Sequence, residues 1–293
     1  MHGNRSRASG IGLERSCDEV TAEWMHGTDA EDGVEFLEAR FQGHAYHKHR
    51  HDTYAICLTI AGVQAFSYRG ASEVSLPGQV VVLHPDEEHD GYAGTEEGFG
   101  YRILYLDPAL IFEAVQTVCG YACPLPFVRT PVVMNQHINQ HLSAAIMGAF
   151  HATRESLAMD SLMVHVAEGL IEADPCCKQA SLPRHLDVAA VKRAQQFLDT
   201  QRTRVVRSAE LEAVTGLTRY DLARQFRLLH GTSPYRYLLM RRLDFAREQL
   251  AQHRSLAEVA IGAGFADQAH FSRMFKATYG MTPARYSTLH THV

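Results

Sequence analysis

Arg224 and Arg273 place the same chemistry in the same local frame, one 49 residues after the other (273 − 224 = 49). A guanidinium is a planar fork of donors that fits the N7 and O6 acceptors of guanine or a pair of phosphate oxygens. Each arginine has companions at helical spacing. Tyr220, Ala223, Arg224 and Arg227 accompany the first, and Gln268, Ala269, Ser272 and Arg273 form the second set. Side chains recurring about one turn apart share one face, so a helix laid in a major groove would aim them at base edges and phosphates.

The elements that must hold these faces repeat as well. Phe226 and Phe275, Gly231 and Gly280, Pro234 and Pro283, and Tyr237 and Tyr286 all keep the same offset. In the first copy Leu211 lies in a short apolar helix, Gly216 permits a tight turn, Leu217 plugs it, and Thr218 caps a helix from Arg219 to His230. That helix buries Leu222, Phe226 and Leu229; Gly231 stops it and Pro234 starts the next. The second copy repeats the scheme with Val259, Ala260, Gly264, Phe265, cap Asp267, core Phe271 and Phe275, and stop Gly280. Between them, Tyr235 to Gln252 reads as one helix, apolar at Leu238, Leu239, Leu243, Ala246 and Leu250. A rigid spacer of this kind sets two reading helices about one DNA turn apart, near 34 Å.

From about Val188 to Leu289 the chain resembles the AraC/XylS family of bacterial transcription regulators, and GFADQAHFSRMFKATYGMTPARY is close to that family's C-terminal signature. The resemblance implies double-stranded promoter DNA, a small-molecule effector and a second copy of the chain as partners, with RNA polymerase as a further one. One departure is Glu212, where the family usually places a small residue between the two helices.

Charge follows the same division. From Asp187 onward 16 Lys plus Arg face 9 Asp plus Glu, a net +7; the remainder, 12 against 24, is −12. A basic half beside an acidic one suits phosphate binding. At 293 residues the chain has room for two cores. No apolar run approaches the roughly 18 residues that span a bilayer, and MHGNRSRASG leads into no apolar stretch, so a cytoplasmic protein with no membrane partner is expected. Cys17, Cys57, Cys119, Cys123, Cys176 and Cys177 form no secreted-type disulfide framework.

The N-terminal half changes pattern. From Val34 to about Leu106, short β-branched and aromatic runs (Tyr54 to Ile60, Gln64 to Tyr68, Gln79 to Leu83) end at Gly and Pro turns, which predicts a small antiparallel barrel or sandwich. HRHDTYAICLTIAG and LPGQVVVLHPDEEHDG resemble the two motifs of cupin barrels as they occur in the effector-binding domains of the AraC family. On that resemblance His49, His51 and His89 match the metal-binding histidines of cupin enzymes, but Asp52, Thr53, Tyr54 and Ala55 stand where a Glu would follow. Three imidazoles can ligate a borderline metal; they can equally line a pocket and hydrogen-bond an organic ligand. The effector-binding set expected here is His49, His51, Tyr54, His89, Tyr101 and Ile103, with no metal, cofactor or catalytic residue. It suits a small polar-aromatic or sugar-like ligand.

The expected fold class is α+β with two domains. Residues 1–33 form a polar arm carrying Trp24, a candidate ligand-dependent latch. Residues 34–173 form a cupin-like effector-binding and dimerisation domain. Its two amphipathic helices run from Asn135 to Ala173, with apolar stripes at Ile138, Leu142, Ile146, Ala149 and Phe150, then Leu157, Leu162, Met163, Val166 and Leu170. Residues 174–186 are a linker, and 187–293 an all-α double helix-turn-helix domain. The functional expectation is a sequence-specific, effector-controlled transcription activator, not an enzyme. The competing reading is a metal-dependent cupin enzyme fused to a DNA-binding domain.

Overall fold

The computed structural model describes residues 23–28, 33–151, 156–179, 182, 186–252 and 254–292. In the N-terminal half the strands are β1 (Trp24–Gly27), β2 (Val34–Phe41), β3 (His44–His49), β4 (Tyr54–Gly62), β5 (Gln64–Tyr68), β6 (Ala71–Ser75), β7 (Val80–Leu83), β8 (His89–Ala93) and β9 (Phe99–Leu106). They form two sheets. One has the order β3-β8-β5-β6. The other runs β1-β2-β9-β4-β7 and is extended beyond β1 by β10 (His290–His292). The hydrogen-bonded pairing is that of two sheets rather than one closed ring.

Period-two alternation sorts the larger sheet's side chains between two cores. Leu37, Ala39, Phe41, Ala55, Cys57, Phe99, Tyr101 and Ile103 meet Ala45, Phe66 and Tyr68 of the smaller sheet. Phe36, Tyr54, Ile56, Leu58, Leu104 and Leu106 face the other way, under helices α1 (Pro108–Cys119), α2 (Gln136–His151) and α3 (Ser156–Ala173). That two-sided burial is why β4 and β9 read as nearly continuous apolar runs. The expected stripes of α2 and α3 pack on this sheet through Ile138, Leu142, Ile146, Leu162, Val166 and Leu170.

Two expectations need correction. Trp24 is not on a loose arm: β1 pairs antiparallel with β2, Trp24 opposite Arg40. The rest of the expected arm, residues 1–22 and 29–32, lies outside the described residues. The C-terminal half is helical as expected and adds one short strand at its end, β10, which lies parallel to β1 in the N-terminal sheet. The expected linker begins as a 3-10 turn, Pro175–Lys178, capped by Asp174 and holding Cys177 buried. Residues 180, 181 and 183–185 of it lie outside the described residues.

The C-terminal half contains α4 (Val188–Thr200), α5 (Ser208–Thr215), α6 (Arg219–His230), α7 (Pro234–Ala251), α8 (Leu256–Gly262), α9 (Gln268–Tyr279) and α10 (Pro283–Leu289). The spacer α7 starts at Pro234, as the first copy's pattern predicts, because Ser233 caps it, accepting a hydrogen bond from the Arg236 amide, and Pro234 fits the first turn. It serves two cores. Tyr237 and Leu238 join Leu222, Phe226 and Leu229 of the first unit. Leu239, Met240, Leu243, Ala246 and Leu250 join Phe271 and Phe275 of the second, in a cluster that runs without interruption into the sheet sandwich.

Candidate functional site

Both reading helices have the predicted bounds, and each is capped as its residues dictate. Thr218 accepts from the Asp221 amide at 3.2 Å, and Asp267 accepts from the His270 amide at 2.6 Å. Gly231 (φ 67°) and Gly280 (φ 68°) end them in the left-handed conformation that disfavours a side chain. Glu212 does not disturb the first unit. Its carboxylate accepts from the Arg219 amide at 2.8 Å, answering one of the orphan donors at the start of α6, where negative charge is favourable.

Tyr220, Ala223, Arg224 and Arg227 lie together on the exposed face of α6, and Gln268, Ala269 and Arg273 on that of α9, with Ser272 half-buried beside them. Tyr220 is 79% exposed, unusual for a large aromatic outside a binding surface. Arg224 faces Asp221 at 3.5 Å, an exposed pair that holds the guanidinium weakly.

The opposite ends of these helices press on the N-terminal half. A Cβ on Gly280 would come within 2.8 Å of the His47 carbonyl oxygen and the Tyr46 Cβ, and within 2.9 Å of His49 Nδ1. The His47 amide donates to the Gly280 carbonyl at 2.8 Å and the Arg50 amide to the Ala277 carbonyl at 3.2 Å. The last carbonyls of α9 are thus answered by the sandwich. At α6 the contact is by side chains, Gly231 against Pro85 and Pro108, with His230 Nδ1 3.7 Å from Asp107.

A row of ion pairs closes the junction. Arg236 meets Asp86 at 2.7 Å, Arg241 meets Asp52 at 3.0 Å, Arg247 meets Glu35 at 2.7 Å and Arg285 meets Glu23 at 3.1 Å. Part of the basic surplus expected to serve DNA therefore matches the acidic surplus of the other half. Asp52 is pushed up to about 6 by burial, opposed by Arg241.

Behind these pairs lies a cavity in which the centre of a water molecule can move through about 90 Å³. Its wall includes His49, His51, Asp52, Tyr105, Arg241 and Arg247. Of the six expected effector residues, the structure brings His49 and His51 to it. His89 stands directly behind, its ring centroid 4.2 Å from His49 and 4.9 Å from His51. Tyr54, Tyr101 and Ile103 are elsewhere. Tyr54 points under the helices and donates to the Pro126 carbonyl at 2.8 Å. Tyr101 and Ile103 are packed between the sheets, with the Tyr101 hydroxyl hydrogen-bonded to that of Tyr46. Tyr105, two residues further along β9, reaches the cavity instead. Asp52, Asp107, Asp244, Arg241 and Arg247 were missed because they meet only across the junction. Their one sequence signal is that Arg241 and Arg247 lie off the apolar stripe of α7.

Each of the three clustered imidazoles donates from Nδ1 to a backbone carbonyl: His49 to His47 at 2.8 Å, His51 to Thr53 at 2.9 Å and His89 to Glu87 at 3.0 Å. A carbonyl can only accept, which fixes the proton on Nδ1 and leaves Nε2 as the acceptor. Burial lowers all three, His89 to about 4 and the other two well below the ordinary imidazole value. Asp52, beside His51, is committed to Arg241, and among the described residues no group of three His, Cys, Asp or Glu side chains is disposed to hold a metal ion.

A pair of helix-turn-helix units joined to a β sandwich, with a cavity at their junction, defines a DNA-binding regulator with a ligand-binding domain. Residues 33–166 match the family described as AraC-like ligand binding domain and residues 211–288 match a helix-turn-helix domain family. Over 234 residues, 79% of this chain and 84% of its own, the HTH-type transcriptional regulator YbfI of Bacillus subtilis is 25% identical. The transcriptional activator RhaS of Yersinia pestis is 25% identical over 262 residues, 84% of this chain and 91% of its own. The solved structure of an apo ToxT variant from Vibrio cholerae superposes with a TM-score of 0.61 at 15% identity, covering 90% of this chain and all of that one. The chain belongs to the AraC/XylS family of transcription regulators, with an N-terminal ligand-binding domain and a C-terminal helix-turn-helix DNA-binding domain. Among the described residues no helix is long and apolar enough to cross a membrane.

Proposed function

We propose that the protein activates transcription from specific promoters, reading DNA with Tyr220, Ala223, Arg224 and Arg227 on α6 and Gln268, Ala269, Ser272 and Arg273 on α9. The observation that carries this reading is the matched exposure of the two faces on helices capped and stopped in register. The working division is the effector and dimerisation domain at 34–173 with β1 (Trp24–Gly27) added to its sheet, a linker at 174–186 and the DNA-binding domain at 187–293. The effector site is the junction cavity, built on His49 and His51 with His89 behind them. ToxT has been solved with an unsaturated fatty acid bound; at 14% identity its ligand does not carry over, and the cavity's own side chains must decide. A homodimer through α2 and α3, contact with RNA polymerase and a cytoplasmic location complete the proposal.

The test is selection of bound fragments from source genomic DNA at near-physiological salt, wild type beside an Arg224→Ala, Arg273→Ala double variant. Enrichment of a few promoter fragments, lost in the variant, is the expected result. Uniform binding without enrichment, at every effector tried, would remove the reading.

A further inference from the structure

We propose that the cavity between the two halves binds a small organic cation, a protonated amine on an aromatic or aliphatic body. The proposal rests on that cavity being the effector site and goes on to name the chemistry it takes.

Charge is the first argument. Among the described residues the wall holds four carboxylates, Glu35, Asp52, Asp107 and Asp244, and two guanidiniums, Arg241 and Arg247. Arg247 is engaged with Glu35 at 2.7 Å, and one nitrogen of Arg241 serves both Asp52 at 3.0 Å and Asp244 at 3.1 Å. His49 and His51 are kept neutral by burial. Even with a proton on His230, beside Asp107, the anions stay in excess. A fifth anion entering here would be repelled in a water-poor site, whereas a cation completes the charge.

Hydrogen bonding is the second argument, and it is independent of the first. His51 is 7% exposed, and its Nε2, an acceptor because Nδ1 donates to Thr53, has no hydrogen-bond partner among the described residues. An ammonium group carries donors for it and a carboxylate carries none. The buried Nε atoms of Arg241 and Arg247 also lack partners, and a water or hydroxyl satisfies them without adding negative charge. Size is the third. Room of about 90 Å³ for the centre of a water molecule makes a cavity several waters across, which suits a ligand of on the order of ten non-hydrogen atoms. Tyr46 and Tyr105 line it, and their ring faces attract cations.

Such a ligand would compete with Arg241 and Arg247 for Asp52 and Glu35, and those pairs hold α7 to the sandwich. Binding would then favour the state in which α7 is released, the differential affinity that a ligand needs to shift an equilibrium.

The test is a titration of the full chain, followed through isotope-labelled methionine methyl groups, with phenethylamine, phenethyl alcohol and hydrocinnamate. Met25, Met240 and Met281 line the cavity and report location. The expected result is that these three methyls shift, with the amine saturating at a concentration roughly tenfold or more below the acid. Asp52→Asn, in which Asp244 still pairs with Arg241, should weaken the amine by a similar factor and leave the alcohol unchanged. If the acid saturates first, or Asp52→Asn leaves the amine unaffected, the cavity stands and the cation is wrong. If no probe moves those three methyls, the cavity reading fails and the proposal falls with it.

Discussion

The first helix-turn-helix keeps its core to itself. Leu222, Phe226 and Leu229 pack with α4, α5 and the start of α7 and go no further. In the second, Phe271 and Phe275 belong to a cluster that runs on into Phe41, Phe66 and Tyr101 of the sandwich. The ends of the reading helices differ in the same sense. Two backbone carbonyls at the end of α9 are hydrogen-bonded by β3 and the residues after it, while α6 meets the N-terminal half through side chains. One template has been anchored in two ways, so its duplication does not make the copies equivalent. The second is mechanically part of the sensor and the first is carried by α7.

That contrast can be broken most severely at the matched phenylalanines. Both Phe226 and Phe275 are fully buried, so replacing either with Ala should cost about 3 to 5 kcal/mol. Amide hydrogen exchange should show the Phe226→Ala loss confined to α4–α6, and the Phe275→Ala loss spreading into β3 and β8; equal spread would sink the comparison.

Acid separates the halves by chemistry. Burial lowers His49, His51, His84 and His89 below the usual 6.5, His84 to about 3 and His89 to about 4. Their unfolded forms therefore bind protons first, and the stability they confer is present above 6.5 and lost as pH falls, on the order of 3 kcal/mol by pH 4 for His89 alone. Asp52, raised to about 6, opposes this within the same window, but it is one group against four. Calorimetry from pH 7 to about 4.5 should show the sandwich destabilised ahead of the first helix-turn-helix, and His89→Gln should flatten the slope.

At the DNA face the copies should differ less. Arg273→Ala should weaken specific binding by about 1 to 3 kcal/mol if it reads a base, and uniformly on all sequences if it holds a phosphate. Competition binding on specific and random duplexes tells the two apart. The smallest effect concerns Glu212, unique to the first copy. Glu212→Ala should cost about 1 kcal/mol through loss of the Arg219 amide's partner, lowering affinity for one half-site only.

Local order was largely legible in the sequence. Asp and Thr caps, left-handed glycines and apolar spacing fix α6 and α9 to the residue because every signal lies within one turn of what it controls. The helix α1 carried such a signal too, Asp107 followed by Pro108 and the stop Gly120, with Ile111, Phe112 and Val115 between. What was not legible is which layer a strand face meets. Alternation places Tyr101 and Ile103 on one side of β9 but does not tell a packed interior from a cavity wall, and the larger sheet is buried on both sides. Nor does a sequence say that Arg241 will find Asp52, 189 residues away.

Arg236, Arg241 and Arg247 project from one helix that also supplies core residues to both reading units. On the proposed effector reading, loss of effector dependence is therefore most accessible here. Single codon changes at these arginines would uncouple expression from the signal while leaving the reading faces intact, and a genetic selection for constitutive alleles should return to α7 repeatedly.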